Sequence, residues 1–355
     1  ITGVDATNIT TAQAIIAASL DDGSDVDTQA ELQGLLDTGL AAAALALTTI
    51  SAYDATNDVP TVADYDAAGV TGVTDPANLA AVNNAVAVLD SDATDTTGEV
   101  QAIVDAVDAV ADAAANGTAD VPTLAQLEVL GITGVDDANV ASIQAVIAAT
   151  GDAAAVDTLG ELQGVVDAGL AALESIATYE GVGIAPSLDT YSVLGVTGVT
   201  DPGNLASVTD AMAHLDDVST DSVAEIQAVV DGVAAVQAAA AGTAGEPTLA
   251  DLNALGITGV TADNIVAVQQ AVAATADDGT GVDTIDELQA VVTNAAQNAA
   301  IAIDVIANYD GVNTVPDAST YTGAGVTGVT PDNIGVVTDV IAGIGVDGTS
   351  TTPAV

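Results

Sequence analysis

One short run of residues, Gly256-Ile257-Thr258-Gly259-Val260, constrains the fold more than any other feature because it recurs along the whole chain. Five further copies follow the same pattern, and the first of them lacks the leading glycine; they are Ile1–Val4, Gly69–Val73, Gly131–Val135, Gly195–Val199 and Gly325–Val329. Corresponding residues of successive copies lie 61 to 69 residues apart. A period of this size is typical of a tandem array built from one supersecondary unit.

The period divides the 355 residues into about six modules, two of them incomplete. Proline-containing segments such as Pro60-Thr61 and Pro247-Thr248 indicate where the complete modules begin. The predicted modules are 1–57 (second and third helices only), 58–118, 119–183, 184–244, 245–313 and 314–355 (first and second helices only).

Each complete module has the signals of three helices. In the module that starts at Pro247, Thr248 is the expected N-cap of a short first helix, and Gly256 follows where a helix end favours a left-handed residue. Thr261 is the expected N-cap of a second helix. An asparagine follows at the start of the second helix in every module, and we expect it to bond to the cap or to the neighbouring loop. These asparagines are Asn8, Asn78, Asn139, Asn204, Asn264 and Asn333.

The third helix carries the clearest start signal, a capping box in which a Ser or Thr is followed three residues later by Glu. The five pairs are Thr28 with Glu31, Thr96 with Glu99, Thr158 with Glu161, Ser222 with Glu225, and Thr284 with Glu287. In the last of these, apolar residues from Leu288 to Ile306 recur at helical spacing and predict a helix of about six turns. The predicted fold is therefore all-α, a tandem array of small three-helix bundles.

The modules alternate between two types, and the tyrosines mark the alternation. Tyr53, Tyr179 and Tyr309 end long third helices, and a second tyrosine follows twelve residues later at Tyr65, Tyr191 and Tyr321. The true repeat is thus a pair of modules spanning 125 to 131 residues. We expect each tyrosine pair to pack one bundle against the next, because large aromatic side chains dominate packing at such junctions.

Charge excludes several partners. The chain has 51 acidic residues, one histidine and no lysine or arginine. Nucleic acids and anionic membrane surfaces both require cationic side chains, so neither is expected as an electrostatic partner. Half of the residues are apolar and the mean hydropathy is +0.49, which favours a folded chain over a disordered one.

Other classes are excluded by what the sequence lacks. There is no cysteine and hence no disulfide. The longest uncharged runs, Thr38–Tyr53 and Leu288–Ile303, are shorter and more polar than a membrane span requires, so we expect no membrane insertion. The chain opens within a module and without a signal-peptide pattern, which predicts a segment of a longer protein.

No enzymatic chemistry is indicated by the residues. His214 is the only imidazole and reads as a residue at a helix end. Nucleophilic triads and histidine-zinc sites therefore lack their parts, and no carboxylate cluster stands out among the modules.

Calcium is the one cofactor that the sequence suggests. Acidic loops precede the third helices at Asp21, Asp22, Asp25 and Asp27, and at Asp277, Asp278 and Asp283. They alternate oxygen ligands but do not match the twelve-residue EF-hand spacing. The alternative is a solvated loop whose negative charge stabilises the N-terminus of the third helix, and the sequence leaves both open.

The core and cap pattern, found at Leu252–Thr258, Asn264–Val268 and Glu287–Val292, resembles the GA-type three-helix modules of bacterial surface proteins. It is also similar to the tandem repeats of large secreted adhesins. This resemblance covers nearly the whole chain and implies an extracellular or cell-surface location. Albumin-binding GA modules are rich in lysine, whereas this chain has none, so no albumin contact is carried over.

The sequence therefore predicts a non-enzymatic structural or adhesive segment, an acidic spacer or stalk of a bacterial surface protein. Its partners would be neighbouring modules of the same protein, or a surface or host ligand. One alternative is a subunit of an extracellular filament completed through the partial end modules. A second alternative is a protein-binding helical module.

Overall fold

The computed structural model describes residues 1–6, 8–19, 26–117, 121–243, 245–275 and 281–344. Within these ranges the regular structure is helical, without strands, which confirms the all-α prediction. The sixteen α-helices are α1 (Ile9–Ala17), α2 (Gln29–Ser51), α3 (Val62–Ala68), α4 (Pro76–Val88), α5 (Thr97–Asn116), α6 (Leu124–Val129), α7 (Val140–Ala149), α8 (Leu159–Ala177), α9 (Leu188–Val193), α10 (Pro202–His214), α11 (Val223–Ala240), α12 (Leu249–Ala254), α13 (Ile265–Ala273), α14 (Ile285–Ala307), α15 (Ala318–Gly323) and α16 (Ile334–Ile344).

The recurring glycine run ends each short helix. The first glycine has a positive φ, as at Gly69 (77°) and Gly256 (69°), a conformation that an L-residue rarely adopts. The next amide, that of Val70, donates to the carbonyl of Tyr65 five residues earlier, as in a Schellman motif, and the other four short helices repeat this bond. The Val or Ile after the glycine can then turn into the core, as Val70 does.

The second helices begin in two ways, and one of them differs from the prediction. Asp75 and Asp201 cap α4 and α10 as expected, with a proline at the first helical position. Thr261 is not the N-cap of α13, because a turn intervenes and the helix starts at Ile265. The side chain of Asn264 closes that turn, accepting from the Thr261 amide and donating to the carbonyl of Gly259.

The chain divides into two compact units. Unit 1 comprises residues 1–171 with 193–195, and unit 2 comprises 172–192 with 196–355. In unit 1, α3 packs on α2, and both α6 and α7 pack on α5. In unit 2, α12 and α13 pack on α11, and α15 packs on α14. Each of these first helices therefore packs on the long helix that precedes it in the chain.

The core of unit 1 crosses the predicted module boundaries at 58 and 119. One continuous cluster of buried side chains runs from Ala46 in α2, through Tyr65 and Val104, to Val166 in α8. Most of its members are Ala, Val, Leu or Ile, so the helices approach closely. The modules of unit 1 consequently share one core and do not each enclose their own.

Three of the described helices, α2, α11 and α14, are long and apolar enough to cross a membrane, judged by length and composition alone. The expectation that no segment reaches this length was therefore wrong. It counted only uncharged runs, whereas a helix such as α11 keeps a high mean hydropathy (1.3 over its best window) despite containing Glu225 and Asp231.

Candidate functional site

A glutamine on each long helix holds the recurring glycine run in place. The Gln227 side chain on α11 accepts from the Thr197 amide (2.8 Å), and its Nε2 donates to the Thr197 carbonyl (3.0 Å). We call this pair of bonds the glutamine clamp. It occurs five times, in Gln33 with Thr2, Gln101 with Thr71, Gln163 with Thr133, Gln227 with Thr197, and Gln289 with Thr258.

The five predicted capping boxes lie at the N-termini of the long helices. In each, the Glu amide donates to the hydroxyl of the Ser or Thr, and that hydroxyl donates to the Glu carboxylate. These bonds satisfy amide groups that have no partner within the helix. The boxes are structural, since both side chains are engaged by the helix end itself.

An aspartate precedes the cap residue and meets the same glutamate in four of the five boxes. These acid pairs are Asp27 with Glu31, Asp95 with Glu99, Asp157 with Glu161, and Asp221 with Glu225. The hydrogen bond to Glu161 raises the pKa of Asp157, and the first two aspartates behave alike. For Asp221 burial is the larger cause of the raised pKa. Close carboxyls therefore favour retention of a proton at these helix ends.

The predicted calcium ligands fall mostly outside the described residues. Asp21, Asp22, Asp25, Asp277 and Asp278 are among the residues that the structure does not describe. Asp27 belongs to an acid pair, and Asp283 engages another group. Within the described ranges, no group of three or more His, Cys, Asp or Glu side chains could hold a metal ion.

The six tyrosines lie at the predicted junctions. Tyr65, Tyr191 and Tyr321 are at most 2% exposed, and each has its partner tyrosine (Tyr53, Tyr179 or Tyr309) nearby. Their hydroxyls differ in environment. That of Tyr65 donates to Asn83 Oδ1 (2.8 Å), whereas those of Tyr191 and Tyr321 are buried without a hydrogen bond. Burial raises the pKa of Tyr191 to about 12.

His214 is more than a residue at a helix end. Its imidazole lies 3.8 Å from a carboxylate oxygen of Asp210 on α10 and 3.9 Å from one of Asp286 on α14. Asp210 also accepts from the Ile285 amide at the start of α14 (2.7 Å). Together these contacts join two helices of unit 2, which the sequence did not reveal because the residues are about 75 positions apart.

The most prominent cavity of the described residues is a groove of about 510 Å³ in unit 1, within the size range of small-molecule sites. It lies between α4 and α5 on one side and the start of α8, with the 3₁₀ turn Ala153–Ala155, on the other. Its apolar lining comprises Ala77, Ala80, Ala81, Val107, Val110, Ala111, Leu130, Ala153, Ala154, Val156, Leu159 and Leu162. Small side chains thus leave room where larger ones would fill it.

Four aspartates and one asparagine also line this groove: Asp75, Asn78, Asp108, Asp112 and Asp157. Burial is the main reason that the pKa of Asp108 is raised, and the nearby carboxylates add to it. The Asn78 amide donates to Asp108 Oδ1 (2.5 Å), while its own Oδ1 is buried without a donor. The groove therefore combines an apolar lining with acceptor oxygens that lack a cationic partner.

Unit 2 has the equivalent groove, but it is almost filled. Its volume is about 10 Å³, and its lining includes Ser207, Val233, Val236, Leu255 and Leu288 at positions equivalent to those of the unit 1 groove. Two substitutions account for much of the difference. Ser207 and Gln237 replace Ala81 and Ala111, and Gln237 Nε2 donates to Ser207 Oγ (3.1 Å) across the space.

A glycine contributes to this closure. Gly232 of α11 replaces Ala106 of α5, and a Cβ added at Gly232 would lie 2.9 Å from the Asp251 carbonyl and 3.1 Å from Leu255 Cγ. The glycine thus allows α12 to approach α11 closely, and Leu255 moves with it into the groove lining. In unit 1 the equivalent methyl group of Ala106 occupies that space.

Searches for similar proteins give no further support to any function: no family model, curated protein or solved structure matches the chain.

Proposed function

We propose that this chain is a non-enzymatic structural segment that separates or connects other parts of an extracellular bacterial surface protein. The observation that supports this most is the core shared along unit 1, from Ala46 to Val166. Repeat arrays of this kind gain stability from the interfaces between neighbours, so a long segment can be built from one simple unit. We propose the finer architecture, a tandem array of three-helix modules, on the same ground.

The charge and the bonding pattern favour a spacer in the extracellular setting that the resemblance implies. With no Lys or Arg, the chain offers trypsin-like proteases no cleavage site, and its net charge of −51 opposes compaction and aggregation. The turns and helix ends are held by amide and hydroxyl hydrogen bonds, which need no cationic residue. Calcium binding at the acidic loops 21–27 and 277–283 would reduce self-repulsion and remains part of this proposal.

Small-angle scattering over a concentration series tests the spacer proposal. A compact domain of this length would have a radius of gyration of about 20 Å. We expect a clearly larger value that does not change with protein concentration. A value near that of a compact domain would refute the spacer. Growth of the particle with concentration would favour the filament instead.

Single-molecule stretching tests the shared core directly. Independent modules would unfold in steps of one module each, about 200 Å of chain at roughly 3.5 Å per residue. A shared core predicts steps that release two or more modules together. Six equal single-module steps would contradict it.

A further inference from the structure

The groove of unit 1 is unlike its counterpart in unit 2 in ways that bear on ligand binding. Ala81 and Ala111 leave open the space that the Ser207–Gln237 hydrogen bond fills in unit 2. Asp108 faces this space, and its counterpart in α11 is Ala234. The opening and the extra carboxylate thus occur together in one of two otherwise similar places.

No residue of this chain can neutralise Asp108 as an ordinary ion pair would. The sequence contains no Lys or Arg, and its one histidine contacts Asp210 and Asp286 in unit 2. A partly buried carboxylate without a cation is costly, and its neighbours Asp75 and Asp112 add repulsion. The cation that would relieve this must therefore come from outside the chain.

The chemistry of that cation follows from the lining. A bare metal ion fits poorly, because the walls are mostly Ala, Val and Leu side chains and no metal-holding group occurs among the described residues. A protonated amine has several N–H donors, enough to bond both Asp108 and the unpaired Oδ1 of Asn78. A hydrocarbon body attached to the amine would cover the apolar walls.

We propose that the unit 1 groove binds a small organic ammonium ion with a hydrocarbon body, its charged end at Asp108 and Asn78. This inference goes beyond the spacer proposal, which stands or falls separately. A protein as acidic as this one attracts any cation weakly, so the site must be distinguished from general attraction by stoichiometry and by shape.

Calorimetric titration of the whole chain with n-hexylammonium, in 0.15 M and 0.5 M salt, provides the test. We expect one saturable site per chain that persists at the higher salt. The uncharged isostere 1-heptanol should bind at least tenfold more weakly. Weak, non-saturable binding that disappears at 0.5 M salt would overturn the proposal, as would equal binding of 1-heptanol.

Three variants locate the site. Asp108→Asn keeps the shape but removes the charge and should weaken binding at least tenfold. The double variant Ala81→Ser with Ala111→Gln installs the pair that closes the unit 2 groove and should abolish saturable binding. Asp105→Asn is the matched control, since Asp105 is exposed on the same helix but does not line the groove.

The control should bind within twofold of the unaltered chain. Unchanged affinity in Asp108→Asn would refute the proposal. So would an equal loss in Asp105→Asn, because it would show that overall charge alone governs binding. Circular dichroism of each variant establishes that it folds, and Asp108→Asn still decides the matter if the double variant does not.

Discussion

The glutamine clamp makes a strong prediction about stability. Replacing Gln227 with Met keeps the side-chain length but removes both bonds to Thr197 and the bond to Asp231. A net hydrogen bond contributes about 0.5 to 1.5 kcal/mol, and the exposed Thr197 backbone can turn to water in its place. We therefore expect a loss of about 1 to 2 kcal/mol.

Two measurements check this value. The melting temperature should fall by roughly 2 to 6 °C, from the usual relation between stability and melting in domains of this size. The Thr197 amide should exchange its hydrogen faster, by about tenfold for each 1.4 kcal/mol lost. Gln13→Met makes the same chemical change at an exposed position of α1 and should alter neither quantity.

Gln227→Glu separates the donor from the acceptor. At pH 7 the carboxylate can still accept from the Thr197 amide but cannot donate to the Thr197 carbonyl, and it faces Asp231. We expect this variant to be less stable than Gln227→Met at pH 7 and to recover at about pH 4, where protonation restores a donor. If Gln227→Met melts like the control and Thr197 exchange is unchanged, the clamp does not stabilise the fold.

Three further predictions concern the tyrosines, the acid pairs and calcium. Tyr65→Phe should cost about 1 to 3 kcal/mol by leaving the Oδ1 of buried Asn83 without its donor, whereas Tyr191→Phe, which removes an unpaired hydroxyl, should cost less than 0.5 kcal/mol in the same melting assay. The raised pKa values of Asp108 and of the acid-pair aspartates mean that the folded chain binds protons more readily than the unfolded one. Stability should therefore rise as the pH falls from 7 to about 5, and a melting temperature that falls over this interval would contradict that sign. Millimolar calcium should raise the melting temperature relative to chelator, and identical curves would exclude calcium stabilisation of the acidic loops.

Local features were predictable from the sequence because they depend on residues close together in the chain. The pairs Thr96 with Glu99 and Ser222 with Glu225 form capping boxes because the helix brings residues three positions apart together. The glycine after each short helix likewise follows from local backbone geometry. Thr261 was assigned wrongly because Asn264, three residues later, offers a competing way to close the turn.

Features that depend on distant residues were not predictable from one sequence. The clamp pairs Thr197 with Gln227, and no local rule connects residues thirty positions apart. The groove depends on whether Ala81 and Ala111 face each other across two helices, which requires the packing itself. The sequence likewise treated each module as a closed bundle, because periodicity identifies helices but does not show which neighbour a short helix such as α3 packs on.

The shared core has a consequence for how such a protein gains or loses length over generations. Within unit 1 the joint after α2 places Tyr65 in the core, and the joint after α5 places Leu127 at the equivalent position. Recombination that deleted a single module would bring α2 against a leucine-type joint and leave space where the tyrosine ring was. A deletion of two modules, 125 to 131 residues, would restore like to like. We therefore expect natural variants of this chain to differ in copy number by pairs.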